Sequence, residues 1–225
     1  MKSFVILTAA VAAASLVTAQ AAIIGDWTFE TSLPATAGPF SPEIGSGSAL
    51  GSHAGAAVYS TPAGNGSSHS FSANTWAVGD YWEFDVSTLG FTGIQISFDQ
   101  VSSATGPGLF GLFYSVNGGA YSQIGANYTV LANASPNPVW NATTSSSIYT
   151  FTPSLSSTGT ALDNATTVSF RLVDQTTTSA NGGTVATGGT DRVDNFVVST
   201  VPEPTSLGLG LVGGFAWLLA LRRKH

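Results

Sequence analysis

The sequence predicts an all-β fold, a two-sheet antiparallel sandwich of jelly-roll type, and three observations carry that prediction. Short apolar runs recur between turn residues, with 26 Gly and 10 Pro in 225 residues. Thirteen Phe, six Tyr and five Trp supply a core that a disordered chain of this polarity lacks. Between the two ends the side chains alternate with period two, and no long 3.6-residue pattern appears.

The elements follow in order. Ile23-Ile-Gly-Asp-Trp-Thr-Phe29 reads as the first strand. Residues 31–74 are rich in Gly, Ser, Pro and Ala and read as a loose stretch, with short strands near 56–59 and 68–71. Residues 80–86 alternate well: Trp82, Phe84 and Val86 share one face, Glu83 and Asp85 the other. Residues 92–101 come next. The run Gly108–Val116, then Asn117-Gly118, then 119–124 predicts a hairpin, because Asn-Gly favours the turn that matches strand twist. Later strands are expected at 147–152, 167–174 and 192–199, with polar, mobile loops at 132–146 and 176–190.

Charge and composition exclude several functions. Four of the six basic residues, Lys2, Arg222, Arg223 and Lys224, lie at the ends. Between residues 22 and 201 only Arg171 and Arg192 stand against eleven carboxylates. A surface so poor in cations does not neutralise phosphates, so nucleic acid is excluded as a partner. Without cysteine there is no disulfide, thiol catalysis or thiolate metal site. No HExxH, P-loop, dinucleotide fingerprint or Gly-x-Ser-x-Gly elbow occurs. The expectation is a protein that is not an enzyme and requires no cofactor.

Both ends carry targeting features. Residues 1–21 read as a secretory signal peptide, with Lys2, an apolar run from Phe4 to Val17, and small residues Ala19 and Ala21 before the cleavage point. Residues 22–200 are then the β-sandwich domain. Residues 201–225 join Pro202-Glu203-Pro204 to an apolar helix at 207–221 and a basic end, Arg222-Arg223-Lys224. Such a helix rises ~22 Å at ~1.5 Å per residue, short of a ~30 Å hydrocarbon core, which suits transient membrane insertion. This ending resembles the PEP-CTERM sorting signal. The resemblance implies processing by a membrane-embedded exosortase near Pro-Glu-Pro, export through the inner membrane, and delivery to the cell surface or extracellular matrix.

Three constellations are candidates for chemistry. Trp27-Thr-Phe-Glu30 and Asp191-Arg-Val-Asp-Asn-Phe-Val-Val198 resemble the first and last strands of jelly-roll carbohydrate-binding modules. That resemblance implies a structural calcium held by Glu30 and Asp194, with Asn195 departing from the second acidic position. The alternative is that Asp194 is satisfied by Arg171, Arg192 or loop amides. Glu83-Phe-Asp85 sets two carboxylates ~7 Å apart on one strand face and resembles part of the Glu-x-Asp-x-x-Glu pattern of laminarinase-like glycoside hydrolases. Thr88 stands in place of the third acid, so a solvent-facing polar strand accounts for the pair better than catalysis. Finally, Trp76, Tyr81, Tyr121, Tyr128 and Trp140 lie near loops or polar strand faces, where a ring can stack on a sugar. The expected function is a structural or adhesive surface domain with polysaccharide as its partner. A dedicated carbohydrate-binding module is the alternative, and a glycosidase using Glu83 and Asp85 comes third.

Overall fold

The computed structural model describes residues 20–202, and Ala22–Val201 form one compact unit. Ala19, Glu203, Pro204, Arg222, Arg223, Lys224 and the helix expected at 207–221 lie outside the described residues.

Twelve strands occur among the described residues: β1 Ile23–Trp27, β2 Ile44–Gly45, β3 Gly47–Ser52, β4 Tyr59–Ser60, β5 Phe71–Ala73, β6 Tyr81–Val86, β7 Ile94–Ser102, β8 Leu109–Val116, β9 Ser122–Thr129, β10 Thr150–Phe151, β11 Val168–Asp174 and β12 Asp191–Thr200. They form the predicted two-sheet antiparallel sandwich. One sheet runs β10-β7-β12-β1-β2, with β5 also on β12 and β4 on β5; the other runs β3-β6-β11-β8-β9.

Alternation decides which side chains enter the core. From β6 come Trp82, Phe84 and Val86; from β11, Val168, Phe170 and Leu172; from β12, Val193, Phe196 and Val198. Phe84 and Phe196 stack across the sheets with centroids 3.7 Å apart, and Trp27 meets Phe84 edge-on at 5.4 Å. Such aromatic pairs add about 0.5–1.5 kcal/mol each beyond the area they bury.

The stretch at 31–74 is more ordered than its composition suggests, since it contains β2 to β5. Small residues are required there because β3 runs beneath large rings. A Cβ at Gly47 would meet Trp27, and one at Gly51 would meet Tyr59 and Trp82. The hairpin turn forms as expected, with Asn117 and Gly118 at φ 51° and 72° and the Gly119 amide donating to the Val116 carbonyl. Strand pairing resumes only at Ser122.

The loop at 132–146 is tied to the fold. Trp140 and Tyr149 build a small second core with Val101, and the Trp140 indole donates to the Ala63 carbonyl. The loop at 176–190 is likewise tied down, through backbone bonds to Thr105, Gly106 and Gly108.

Candidate functional site

Strand order creates a site on the outer face of the five-stranded sheet. β11 lies between β6 and β8, so Arg171 stands opposite Glu83 on one side and Phe113 on the other. The Arg171 Nε–H donates to Glu83 Oε2 in an ion pair. The guanidinium is sandwiched between two rings, 3.9 Å from the Tyr81 centroid and 3.8 Å from that of Tyr121. The Tyr121 hydroxyl donates to the same Glu83 oxygen. Burial, and after it the bond to Glu83, pushes the Tyr121 phenol up to about 12, so it remains a donor well above neutral pH.

This packing explains why Glu83 is buried although it points away from the core. It is not the freely solvated carboxylate that alternation alone suggests. Asp85, two residues along, accepts the Ser48 hydroxyl at Oδ2 (3.2 Å), while its Oδ1 has no protein donor. The face therefore combines a fixed cation–π stack, two half-buried tyrosines and a carboxylate without a counter-charge. Each part sits on or beside a strand, a rigid base for recognition.

A second cluster lies on the other sheet, where Glu30 and Asp194 both reach the segment 64–69. Glu30 Oε1 accepts the His69 amide at 2.7 Å. Asp194 Oδ2 accepts the Asn65 amide at 2.9 Å and the Ser67 hydroxyl at 2.6 Å, and Oδ1 accepts the Asn195 amide. Neither arginine forms an ion pair with Asp194; Arg171 is paired with Glu83. Loop amides and a hydroxyl donate to Asp194. Burial is the main reason its carboxyl is pushed up to about 7.

Backbone geometry aims these carboxylates. Phe29, fully buried, sits at φ 57°, and Asn195 at φ 49° within a bulge of β12. An aromatic residue in the left-handed region is an outlier held by its surroundings, and such residues cluster at functional sites. Each directly adjoins one of the two carboxylates. The Asn195 side-chain amide also bridges Asp194 to Asp99, donating at 3.2 and 2.9 Å. A Cβ at Gly64 would meet Ser67 Oγ, Asp194 Oδ2 and the His69 carbonyl oxygen together. Three oxygens thus close on one point. Among the described residues, no group of three or more His, Cys, Asp or Glu side chains is placed to hold a metal ion.

Of the aromatic residues proposed for sugar stacking, the structure brings together only Tyr81 and Tyr121. Trp76 and Trp140 must be corrected: both are buried, and their indoles donate to the Ala73 and Ala63 carbonyls. Trp76 is walled in by His53, Trp82 and Phe110, and Trp140 packs on Tyr149. Tyr128 turns its hydroxyl to buried Gln100 and packs among Phe98, Phe110 and Phe151. Sequence reasoning missed Arg171 as the centre of the stack, and Asp99 and Ser67 at the second cluster. Only the strand order and the fold of 61–69 bring these to their places.

No protein-family model matches the chain, and no curated protein matches it. Among solved structures it is similar to the K3 cleaved adhesin domain of Lys-gingipain from Porphyromonas gingivalis, at 14% identity and a TM-score of 0.43, over 80% of this chain and 100% of that one. It is also similar to Paenibacillus xanthan lyase, at 15% identity and a TM-score of 0.40, over 80% of this chain but only 13% of the lyase. A third similarity is to TmCBM61 in complex with β-1,4-galactotriose, at 11% identity and a TM-score of 0.33, over 67% of this chain and 85% of that one.

Proposed function

We propose that this chain is a non-catalytic β-sandwich, displayed at the cell surface or in the exopolysaccharide matrix, which holds polysaccharide on its five-stranded sheet. The observation that carries this reading is the Tyr81–Arg171–Tyr121 stack locked by Glu83. A platform already ordered in the free protein loses little side-chain entropy on binding. Tyrosine rings offer sugars an apolar face and a hydroxyl together. In glycoside hydrolysis, one acid of the pair must deliver a proton to the leaving group. Glu83, fixed as acceptor for an arginine and a tyrosine, is poorly placed for that task.

The test is affinity electrophoresis of the purified chain through gels containing polysaccharides. Tyr81→Ala and Tyr121→Ala are each expected to weaken retention about tenfold, equivalent to about 1.4 kcal/mol, with little change in melting temperature. Unaltered retention in both variants would move the site elsewhere.

Export and sorting rest on the terminal signals. Mass spectrometry of the protein from its host is expected to find Ala22 at the N-terminus and a C-terminus near Pro202. A mature protein still ending in Arg222-Arg223-Lys224 and His225 would overturn exosortase processing.

A structural calcium at the Glu30–Asp194 cluster is favoured by one specific observation. Among the described residues Asp194 is fully buried with no cationic partner, and a buried charge without a counter-charge is costly. The donors fit a hard ion that prefers oxygen: the Asp194 and Glu30 carboxylates, Ser67 Oγ and the His69 carbonyl. Calcium there would join the first strand, the 61–69 loop and the last strand.

A further inference from the structure

We infer that the ligand of the Tyr81–Arg171–Tyr121 face is a polysaccharide without anionic groups, an inference that rests on the glycan-binding reading above. The face holds one cation, and its charge is already matched. Arg171 gives its Nε–H to Glu83, and both faces of its guanidinium are covered by tyrosine rings. Glu83 and Arg171 cancel, which leaves Asp85 as the uncompensated charge. Its Oδ1 has no protein donor, and its only partner is the Ser48 hydroxyl on Oδ2. Oδ1 is itself buried, so Asp85 acts on this face through its unmatched negative charge, which a neutral sugar does not feel as repulsion.

A uronate or sulfate group would meet the opposite conditions. It would approach Asp85 with no second cation at hand, since Arg192 lies on β12 in the other sheet. The wider field adds to the penalty: residues 22–201 carry two arginines against eleven carboxylates. Within the Debye length, about 10 Å at 0.1 M salt, a polyanion is repelled where it passes Asp85. The expected discrimination is tenfold or more in favour of neutral chains.

The full chain is run through gels containing a neutral glucan, a neutral galactan or alginate, each with calcium and again with a chelator. At least one neutral polymer is expected to retard it, and alginate is not, in either condition. Raising the salt should narrow the difference by screening Asp85. Retention by alginate equal to or stronger than that by the neutral polymers overturns the inference but leaves glycan binding standing. Retention by no polymer overturns the glycan-binding reading itself. Asp85→Asn keeps the shape and removes the charge, so it should narrow the neutral-to-alginate ratio about tenfold. An unchanged ratio would take the selectivity away from Asp85. The wild-type comparison decides the main point without that variant should it fail to fold.

Discussion

Between pH 8 and pH 5 the calcium-free domain is expected to gain stability, by about 3–6 kcal/mol. The cause lies in three buried aspartates of β11 and β12: Asp194, pushed up to about 7 as described above, Asp191 and Asp174. Asp191 is fully buried, and burial pushes its carboxyl up to about 7 against hydrogen bonds from Trp82, Gln100 and Ser102 that act the other way. Asp174, also fully buried, is pushed up to about 6, again chiefly by burial, and its Oδ2 has no partner. Unfolded aspartates take up protons only below about pH 4. Between that point and 6–7 the folded state therefore binds more protons than the unfolded one. Stability is lost as pH rises through the folded values and is fully present near the unfolded value, at up to ~1.4 kcal/mol per pH unit per group. His53, whose burial pulls it below its ordinary value, opposes this trend and trims the gain.

The hydrogen bonds agree with a proton on Asp191. The Ser102 hydroxyl lies 2.6 Å from the Pro107 carbonyl and 3.0 Å from Asp191 Oδ2. The hydroxyl has one hydrogen for two acceptors, so Ser102 gives the Asp191 carboxylate only part of a hydrogen bond. Asparagine reproduces that pattern: its oxygen can accept from Trp82 and Gln100, and its amide can donate to Ser102. Asp191→Asn should therefore raise stability at pH 8, change it little at pH 5, and flatten the slope between them. Urea titrations at the two pH values measure both. A variant with the wild-type slope would place the linked protons elsewhere.

Adding calcium at about 100 times its dissociation constant should stabilise the domain by about 2.7 kcal/mol, a rise in melting temperature of roughly 5–10 °C for this size. The effect is best measured at pH 8, because a ligating carboxylate must be free of its proton. Asp194→Asn should abolish the response while keeping an acceptor for the Asn65 amide and the Ser67 hydroxyl. A melting temperature indifferent to both calcium and EDTA would remove the ion and leave loop amides as the whole support of Asp194.

Much of this fold is legible in the sequence because bulky residues mark it. Trp82, Phe84 and Val86, or Val168, Phe170 and Leu172, announce buried strand faces by their spacing. β3 escapes notice for the opposite reason: Gly47 and Gly51 are chosen by the rings above them, and those rings come from β1, β4 and β6. The site divides along the same line. Tyr81 and Glu83 follow from the alternation of one strand, so their shared face is readable. Arg171 acquires its role only when β11 is placed beside β6, a pairing across 88 positions of sequence. Trp76 and Trp140 mislead because the groups that bury them, Phe110 for one and the Ala63 carbonyl for the other, are remote in the chain.

β1 and β12 pair antiparallel, with Ile23 opposite Ser199 and the Thr200 amide bonded to the Ala22 carbonyl. The two ends of the sandwich therefore leave it side by side. β12 is also an interior strand, bordered by β7 on one flank and by β1 and β5 on the other. A pull applied at Val201 along the strand meets its ladders in shear, so that many hydrogen bonds must give way together instead of peeling one by one. A domain held by this end and loaded through its opposite sheet would resist mechanical extraction well beyond what its equilibrium stability implies.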